Sequence, residues 1–367
     1  MNDEDYMKHA IELAKKGVGF VNPNPMVGAV IVKEDRIIGE GYHKKYGELH
    51  AERNAFANLT EPAEGATLYV TLEPCCHYGK TPPCTEAIIE HKIGRVVIGS
   101  KDPNPLVAGK GVQILKEHGI SVTENVCREA CDELNPVFFH YIRTKMPYVA
   151  MKFAETLDGK IACESGASKW VTGEEARTYV MKLRHRYMGI MVGVQTVLTD
   201  DPMLNCRMEG GRNPVRIICD THLRTPLMSK IVLTAKEIPT ILATAETEES
   251  KHHPYREMGC EVVTVDAKDG KLNLKELMIK LGERKIDSIL LEGGATLNWS
   301  ALKNGIVNYV YGFIAPKFFG GEKAKTPVAG EGFATPEEAI FLKNKHVRNI
   351  GEDILIEGEV KSCLPEL

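Results

Sequence analysis

The sequence predicts two α/β domains in tandem, the first a three-layer sandwich around a mixed sheet. Three observations carry this expectation. Helix-period and strand-period stretches alternate through the first 144 residues. Composition resets at Arg143-Thr144-Lys145-Met146-Pro147, where Pro147 disfavours helix at Met146. A second alternating series follows and ends in two strands with no helix between them. A length of 367 residues suits two domains, and the expected boundaries are 1–144 and 147–367.

Each element has a local reason. Met7, Ala10, Ile11 and Ala14 form one helical face, and Gly17 stands where a helix stops. Met26 to Lys33 and Arg36 to Tyr42 read as strands joined at Glu34-Asp35, a hairpin. His50 to Leu59 reads as helix and Thr67 to Leu72 as strand. Pro82-Pro83 open a helix through His91. Arg95 to Ser100 is a strand, Gln113 to His118 a helix, Ser121 to Asn125 an edge strand, and Arg128 to Ile142 a helix. In the second segment Tyr148 to Thr156 is a strand. Thr172 and Glu175 form a capping-box pattern before the apolar stripe Ala176, Tyr179, Val180, Leu183 and Tyr187. Ile190 to Thr196, Val215 to Cys219, Thr240 to Ala243, Glu261 to Val265 and Ser288 to Leu291 read as strands. Leu274 to Leu281 and Thr296 to Leu302 read as helices. Asn308 to Ile314 and Asp353 to Glu357 close the series and predict an antiparallel edge.

Composition narrows the function. Hydrophobic residues make up 43% and charged residues 26%, which excludes a disordered or collagen-like chain. Net charge is −4. Residues 1–144 carry 16 Lys+Arg and 20 Asp+Glu, and the remainder carries 30 of each. Neither segment has the positive balance that binding a polyanion calls for, so no nucleic-acid partner is expected. No apolar run reaches the roughly 18 residues of a membrane span, and Met1-Asn2-Asp3-Glu4-Asp5 lacks a signal-peptide core. Ten cysteines are too scattered for a disulfide scaffold. A cytoplasmic protein with free thiols is expected, assembled as a homo-oligomer.

His50-Ala51-Glu52 opens a predicted helix, and Pro74-Cys75 and Cys84 follow. Zinc takes imidazole and thiolate; four ligands close a structural site, whereas three leave a position for water. His50, Cys75 and Cys84 make three. Glu52 is two residues from His50 and can serve as proton shuttle. A helix start beside the cysteines favours thiolate by about 0.3–1 kcal/mol. The pattern follows the zinc-deaminase signature H-x-E…P-C-x-x-C, with eight residues between the cysteines instead of two. Cys76 competes with Cys75 as ligand, although Pro74 before Cys75 favours the latter. His77 is a candidate fourth ligand, which would make the site structural. Taken singly, His50 reads first as a core histidine and each cysteine as a small apolar residue; only the joint pattern points to metal.

The chain resembles the bifunctional deaminase–reductase family of riboflavin biosynthesis over nearly its whole length. The resemblance rests on Asn22-Pro23-Asn24-Pro25-Met26-Val27-Gly28-Ala29-Val30, Gly47-Glu48-Leu49-His50-Ala51-Glu52, and Thr71 to Cys84. Asp102 to Gly111 is a further family stretch. The eight-residue insert is itself characteristic of that family. The resemblance implies a cytidine-deaminase-like first domain in which His50, Cys75 and Cys84 bind one Zn2+ and Glu52 is the proton donor. The implied substrate is diaminohydroxyphosphoribosylaminopyrimidine, a small phosphoribosyl pyrimidine that loses its ring amino group. Asn22 suits the base edge, because an amide both donates and accepts; before Pro23 it equally suits a turn. His43 and Lys80 are candidate contacts to the substrate phosphate, with a solvated surface role as the alternative.

The second segment has no G-x-G-x-x-G, so a Rossmann fingerprint is absent. Glu292-Gly293-Gly294 between strand and helix instead lets backbone approach a phosphate. Met151 to Ala162 and Gly193 to Arg207 are similar to the family's reductase domain, which implies a dihydrofolate-reductase-like fold and NADPH. By position, Ala154, Trp170, Thr196, Asp200, Thr221 and Gly294, Ala295, Thr296, Leu297, Asn298, Trp299 and Ser300 would line NADPH. Ser168, Arg184, Leu204, Arg207 and Glu292 would line the substrate. Lys152, Asp200 and Glu292 are candidates for handling the proton in reduction. Asp220 at a strand end would suit NAD by the Rossmann rule. The following Thr221-His222-Leu223-Arg224 offers Arg224 to a 2′-phosphate. A solvated Arg224 and a core Trp170 are the plain alternatives. The rival functions are a nucleic-acid deaminase with a non-enzymatic substrate-binding domain, and a binding module with structural zinc.

Overall fold

The computed structural model describes residues 1–79, 81–104 and 107–361. The chain divides into two compact units, Met1–Lys145 and Met146–Leu367. No helix among the described residues is long and apolar enough to cross a membrane.

In the first unit α1 is Asp3–Lys15, β1 Gly28–Lys33, β2 Arg36–Tyr42, α2 Ala51–Ala57 and β3 Thr67–Leu72. Then come α3, Cys84–Glu90, β4, Arg95–Ser100, α4, Lys110–Glu117, β5, Ser121–Thr123, α5, Arg128–Asp132, and α6, Pro136–Thr144. The sheet runs β2-β1-β3-β4-β5. It is antiparallel at β1–β2 and β1–β3, and parallel from β3 onward. Strand alternation makes the three layers. Ala29, Ile31, Leu68, Val70, Val96 and Ile98 pack with Ala55, Ile88 and Leu115 of α2, α3 and α4. Val30, Val32, Tyr69 and Val97 pack on the other face with Met7, Ala10 and Ala14 of α1. Asn2 and Asp5 cap α1 reciprocally. Glu34 and Asp35 both have positive φ, the requirement of a tight two-residue hairpin. The expected helix over Arg128 to Ile142 is two helices, because Pro136 starts a new one.

Helix α2 lies directly on β2. A Cβ at Gly41 would sit 2.4 Å from the Ala55 nitrogen and 2.7 Å from the Ala51 oxygen. Gly41→Ala is therefore expected to lower stability by about 1–3 kcal/mol through overpacking. Denaturant unfolding checks this, and an unchanged midpoint would mean that α2 can shift freely.

The second unit contains β6 Tyr148–Thr156, α7 Glu174–Arg186, β7 Gly189–Gly193, α8 Val194–Asp200 and β8 Val215–Cys219. Next are α9 Lys230–Leu233, β9 Thr240–Thr244, α10 Glu249–Glu257, β10 Glu261–Thr264, and the short ribbon β11 Ala267–Lys268 with β12 Lys271–Leu272. The chain continues through α11 Leu274–Glu283, β13 Ser288–Leu291, α12 Ala295–Lys303, β14 Val307–Ala315, β15 Leu342–Ile350 and β16 Asp353–Val360. The nine-stranded sheet runs β10-β9-β8-β7-β13-β6-β14-β16-β15. It is parallel from β10 to β14; β16 pairs antiparallel with β14 as expected, and β15, which was not expected, adds a further antiparallel strand. Met151, Met191, Ile217 and Ile289 face Leu277 and Leu281 of α11. Ile190, Val192, Ile218 and Leu242 face Val197, Ile231 and Tyr255 of α8, α9 and α10.

Two expectations fail here, and one strand was not anticipated. The strand over Ile190 to Thr196 ends at Gly193, and Val194 begins α8. Thr172 does not cap α7; Gly173 occupies that position, and its N–H donates to Asp353 at 2.7 Å. Finally, β15 had no apolar alternation to announce it, being Leu-Lys-Asn-Lys-His-Val-Arg-Asn-Ile.

Candidate active sites of the two units

His50 caps the start of α2, Cys75 follows β3, and Cys84 begins α3. The fold brings them together. The His50 Nδ1 lies 3.4 Å from Cys75 Sγ and 3.4 Å from Cys84 Sγ, and all three donor atoms fall within 4.8 Å of one another. Tetrahedral zinc with bonds of about 2.0–2.3 Å spaces such atoms about 3.5–3.8 Å apart, so the donor set fits zinc. Among the described residues the cluster has three donors and leaves a fourth position open. Cys76 and His77 are not in it.

The thiols share a proton in a polarised way. Hydrogen bonding from Cys84, then the nearby His50, brings the Cys75 thiol down to about 4. The same contact pushes Cys84 up. Cys75 also accepts the Cys84 backbone N–H at 3.3 Å, a helix-start donor that favours thiolate. Glu52 is 4% exposed. Burial raises its carboxyl, with the Cys75 charge adding to the effect, and it lies within hydrogen-bonding reach of the Cys84 thiol.

His43 is placed differently from expectation. It is buried, with Nδ1 3.0 Å from the Leu49 carbonyl and Nε2 3.2 Å from Asn24 Nδ2. A neutral ring with its proton on Nδ1 satisfies both contacts, and burial lowers its pKa. Its ring meets His50 edge-on at 5.5 Å. His43 therefore supports the metal ligand and has no free nitrogen for a phosphate. Asn22 lies in the loop after α1, before a cis bond to Pro23, and Lys80 lies outside the described residues. Sequence reasoning missed Asn24, which holds His43, and Glu73. The buried Glu73 accepts the Gly109 N–H at 2.9 Å and ties the start of α4 to the zinc loop. Its only sequence signal is its place before Pro74-Cys75.

In the second unit the turns after β7 and β13 meet at the carboxyl ends of parallel strands, where ligands of open α/β sheets sit. The Gly193 N–H donates to Gly293 O at 2.9 Å. Thr196 Oγ1 lies 3.7 Å from where a Gly294 Cβ would be, and Leu297 packs against Gly193. Ala154 is partly exposed on β6, Ser168 sits in the loop before α7, and Thr221 follows β8. Trp170 is 60% exposed, so it is no core aromatic, and Arg177 stacks 4.7 Å from its ring centre.

The run from Gly294 to Ser300 cannot line a cofactor throughout, because a helix turns successive side chains around its axis. Gly294, Ala295, Thr296, Leu297 and Ser300 keep some exposure. Asn298 and Trp299 point inward: Asn298 donates to Pro327 O, and Trp299 packs on Phe333 beneath Gly330. Leu204 is likewise buried in the core, 4% exposed.

A charged group lies at the end of β13. Arg184 grips Glu292 with two bonds, Nε–Oε1 at 2.7 Å and Nη2–Oε2 at 2.8 Å, and donates from Nη1 to Asn205 O at 3.0 Å. The pair is only 12% and 11% exposed. Arg184 was expected to fork onto a substrate phosphate; Glu292 already occupies its fork. Burial works to raise the Glu292 carboxyl, but Arg184 and Lys152 outweigh it and the carboxyl is held low. Burial lowers the Lys152 ammonium, against the pull of Glu292. Arg207 is exposed and close enough to act on Glu292. Asp200 stands at the exposed end of α8, so the structure does not bring it into this buried group. Asp220 is buried and accepts the Thr225 N–H and hydroxyl, both at 2.7 Å. Both bonds go to Oδ2 and close its own loop, while Oδ1 is buried without a hydrogen-bond partner. Arg224 is exposed on that loop.

Comparison with known proteins matches both units. The cytidine and deoxycytidylate deaminase zinc-binding region matches residues 1–100, and the RibD C-terminal domain matches residues 147–356. The riboflavin biosynthesis protein RibD of Actinobacillus pleuropneumoniae is 55% identical over 99% of this chain and 97% of its own. Its counterpart in Aquifex aeolicus is 46% identical over 96% and 97%. A solved structure of Acinetobacter baumannii RibD aligns with TM-score 0.88 at 37% identity, covering 98% of this chain and 99% of its own. The Thermotoga maritima diaminohydroxyphosphoribosylaminopyrimidine deaminase/5-amino-6-(5-phosphoribosylamino)uracil reductase aligns with TM-score 0.86 at 41% identity, covering 98% and 99%. The reductase-domain match overturns the alternative of a nucleic-acid deaminase with a non-enzymatic partner domain. A three-donor zinc site followed by a reductase domain, matched along almost the full length of these relatives, makes the chain a member of the RibD family of bifunctional deaminase–reductases of riboflavin biosynthesis.

Proposed function

We propose that residues 1–144 deaminate diaminohydroxyphosphoribosylaminopyrimidine and that residues 147–367 then reduce its ribosyl side chain to ribityl with NADPH. The observation that carries this reading is the convergence of His50, Cys75 and Cys84 beside the buried Glu52. When bound, zinc acidifies a water molecule and so supplies a nucleophile at neutral pH. Glu52 would take a proton from the attacking water and hand it to the departing amine nitrogen, which leaves as ammonia. Asn22 reads the pyrimidine edge, and Lys80 meets the substrate phosphate.

In the second unit NADPH, when bound, supplies the hydride. Trp170, Ala154, Thr196, Thr221 and the Gly294–Leu297 turn hold it, with Arg224 at the 2′-phosphate. Lys152 delivers the accompanying proton, because burial, against the pull of Glu292, makes the ammonium a readier acid. Arg207 meets the phosphate of the substrate as the exposed cation, and Arg184 with Glu292 forms the floor beneath it. Ser168 closes the side. We also propose a cytoplasmic location, supported by free thiols among the described cysteines. A homo-oligomer is the assembly proposed; the outer edge of β15 is open to a second copy.

The test is product identification by mass, first without and then with NADPH. Removing zinc with a chelator is expected to stop deamination, while substrate already deaminated is still reduced. Loss of both reactions in a chain that stays folded would refute the division of labour.

A further inference from the structure

Arg53 follows Glu52 on α2 and reaches across to the segment that ends in Cys84. Its Nε donates to Pro82 O at 3.1 Å and its Nη2 to Pro83 O at 2.8 Å. Pro82 and Pro83 have no N–H, so this stretch can be tied to the scaffold only through its carbonyls. Thr81 O takes the Gly79 N–H at 3.3 Å. The two proline carbonyls take Arg53. A planar guanidinium presents its donors in a fixed fork, which suits two successive carbonyls. Downstream, the Cys84 and Thr85 N–H groups are both turned onto Cys75, at 3.3 Å to its Sγ and 3.2 Å to its carbonyl. The ligand Cys84 is therefore bracketed: Cys75 holds its helix side and Arg53 holds its proline side. Because His50 caps the same helix that carries Arg53, the clamp couples two of the three donor-bearing segments.

We propose that Arg53 is a positioning residue for the metal site, holding Cys84 Sγ at its 3.4 Å spacing from His50 Nδ1 through the Pro82 and Pro83 carbonyls. This rests on the zinc reading given above. Partners that orient metal ligands typically govern 10–100-fold in metal affinity, so Arg53→Met is expected to release zinc to a competing chelator about 10- to 100-fold faster. Arg53→Lys keeps the charge and one reach, and is expected to fall between. With cobalt in place of zinc, the thiolate–metal absorption band should weaken in Arg53→Met and recover in Arg53→Lys. Reduction of deaminated substrate by the same full-length chains should be unchanged, which reports that they are folded.

Zinc release from Arg53→Met at the unaltered rate, with an unaltered cobalt spectrum, would overturn the proposal. If Arg53→Met loses reduction as well and is misfolded, Arg53→Lys decides alone: faster release supports the clamp, and unaltered release overturns it. An unaltered chain that holds no zinc would overturn the metal reading and this inference together, a failure distinct from zinc retained equally by all variants.

Discussion

Glu52→Gln is expected to keep its zinc and lose deamination by about 10²–10⁴-fold, the range that a positioned acid–base group supplies. That corresponds to about 3–5 kcal/mol of barrier. Glutamine matches glutamate in shape, and Glu52 is not one of the three donors, so the ligand geometry survives. What disappears is a group that can both take and give a proton. Glu52 is buried at 4% exposure, and an amide in its place removes the cost of a buried carboxylate, so the fold should not weaken. The measurements are zinc content, deamination rate and reduction rate on one preparation. Activity within a few-fold of the unaltered enzyme would exclude Glu52 as the proton carrier. Loss of zinc alongside activity would make it part of the ligand shell.

Glu292→Ala should have the largest effect on stability. Removing one partner of a buried ion pair costs about 3–5 kcal/mol, because the other charge stays buried without compensation. Here the loss is compounded: Arg184, Lys152 and Arg207 would face one another with no anion among them. Reduction should fall with stability, while deamination by the other unit persists. Glu292→Ala combined with Arg184→Ala should recover part of the loss, since both charges then go. The pH dependence has a definite sign. The folded Glu292 carboxyl is held below its ordinary range, so the pair contributes fully above the unfolded value. That contribution disappears as pH falls through the depressed folded one. The unaltered enzyme should therefore lose stability more steeply in acid than Glu292→Gln. Parallel acid curves would place the stabilisation elsewhere.

The layered first unit was legible because its signals are local. The hairpin at Glu34-Asp35, the α1 face and the spacing of His50, Cys75 and Cys84 each sit within a short stretch. The second unit exposes the limits of that reading. Val194-Gln195-Thr196 extends a β-branched run, so it read as strand. It folds as helix because Val194 and Val197, three residues apart, both find the core. Helix α10 contains Pro254, which argues against helix from sequence, and its buried His252 and Tyr255 hold it in place. Arg184 was expected to line the substrate. Its partner Glu292 is 108 residues away, and no local pattern announces such a pairing. His43 carried the same ambiguity, resolved by Asn24 and Leu49.

Strand β6 has a consequence in time. It lies inside the nine-stranded sheet, pairing with β13 on one side and β14 on the other. Those partners begin at Ser288 and Val307, far along the chain from Tyr148. At synthesis rates of about 5–20 residues per second, β6 leaves the ribosome roughly 10–30 s before its second neighbour exists. The first unit, whose strands all lie within its own stretch, can complete its core during that wait. Val149, Ala150 and Met151 cannot, and they stand as an unpaired apolar strand until nearly the whole polypeptide has been made. The second unit's sheet is thus the late step of biogenesis, the one that keeps apolar strand surface unpaired longest.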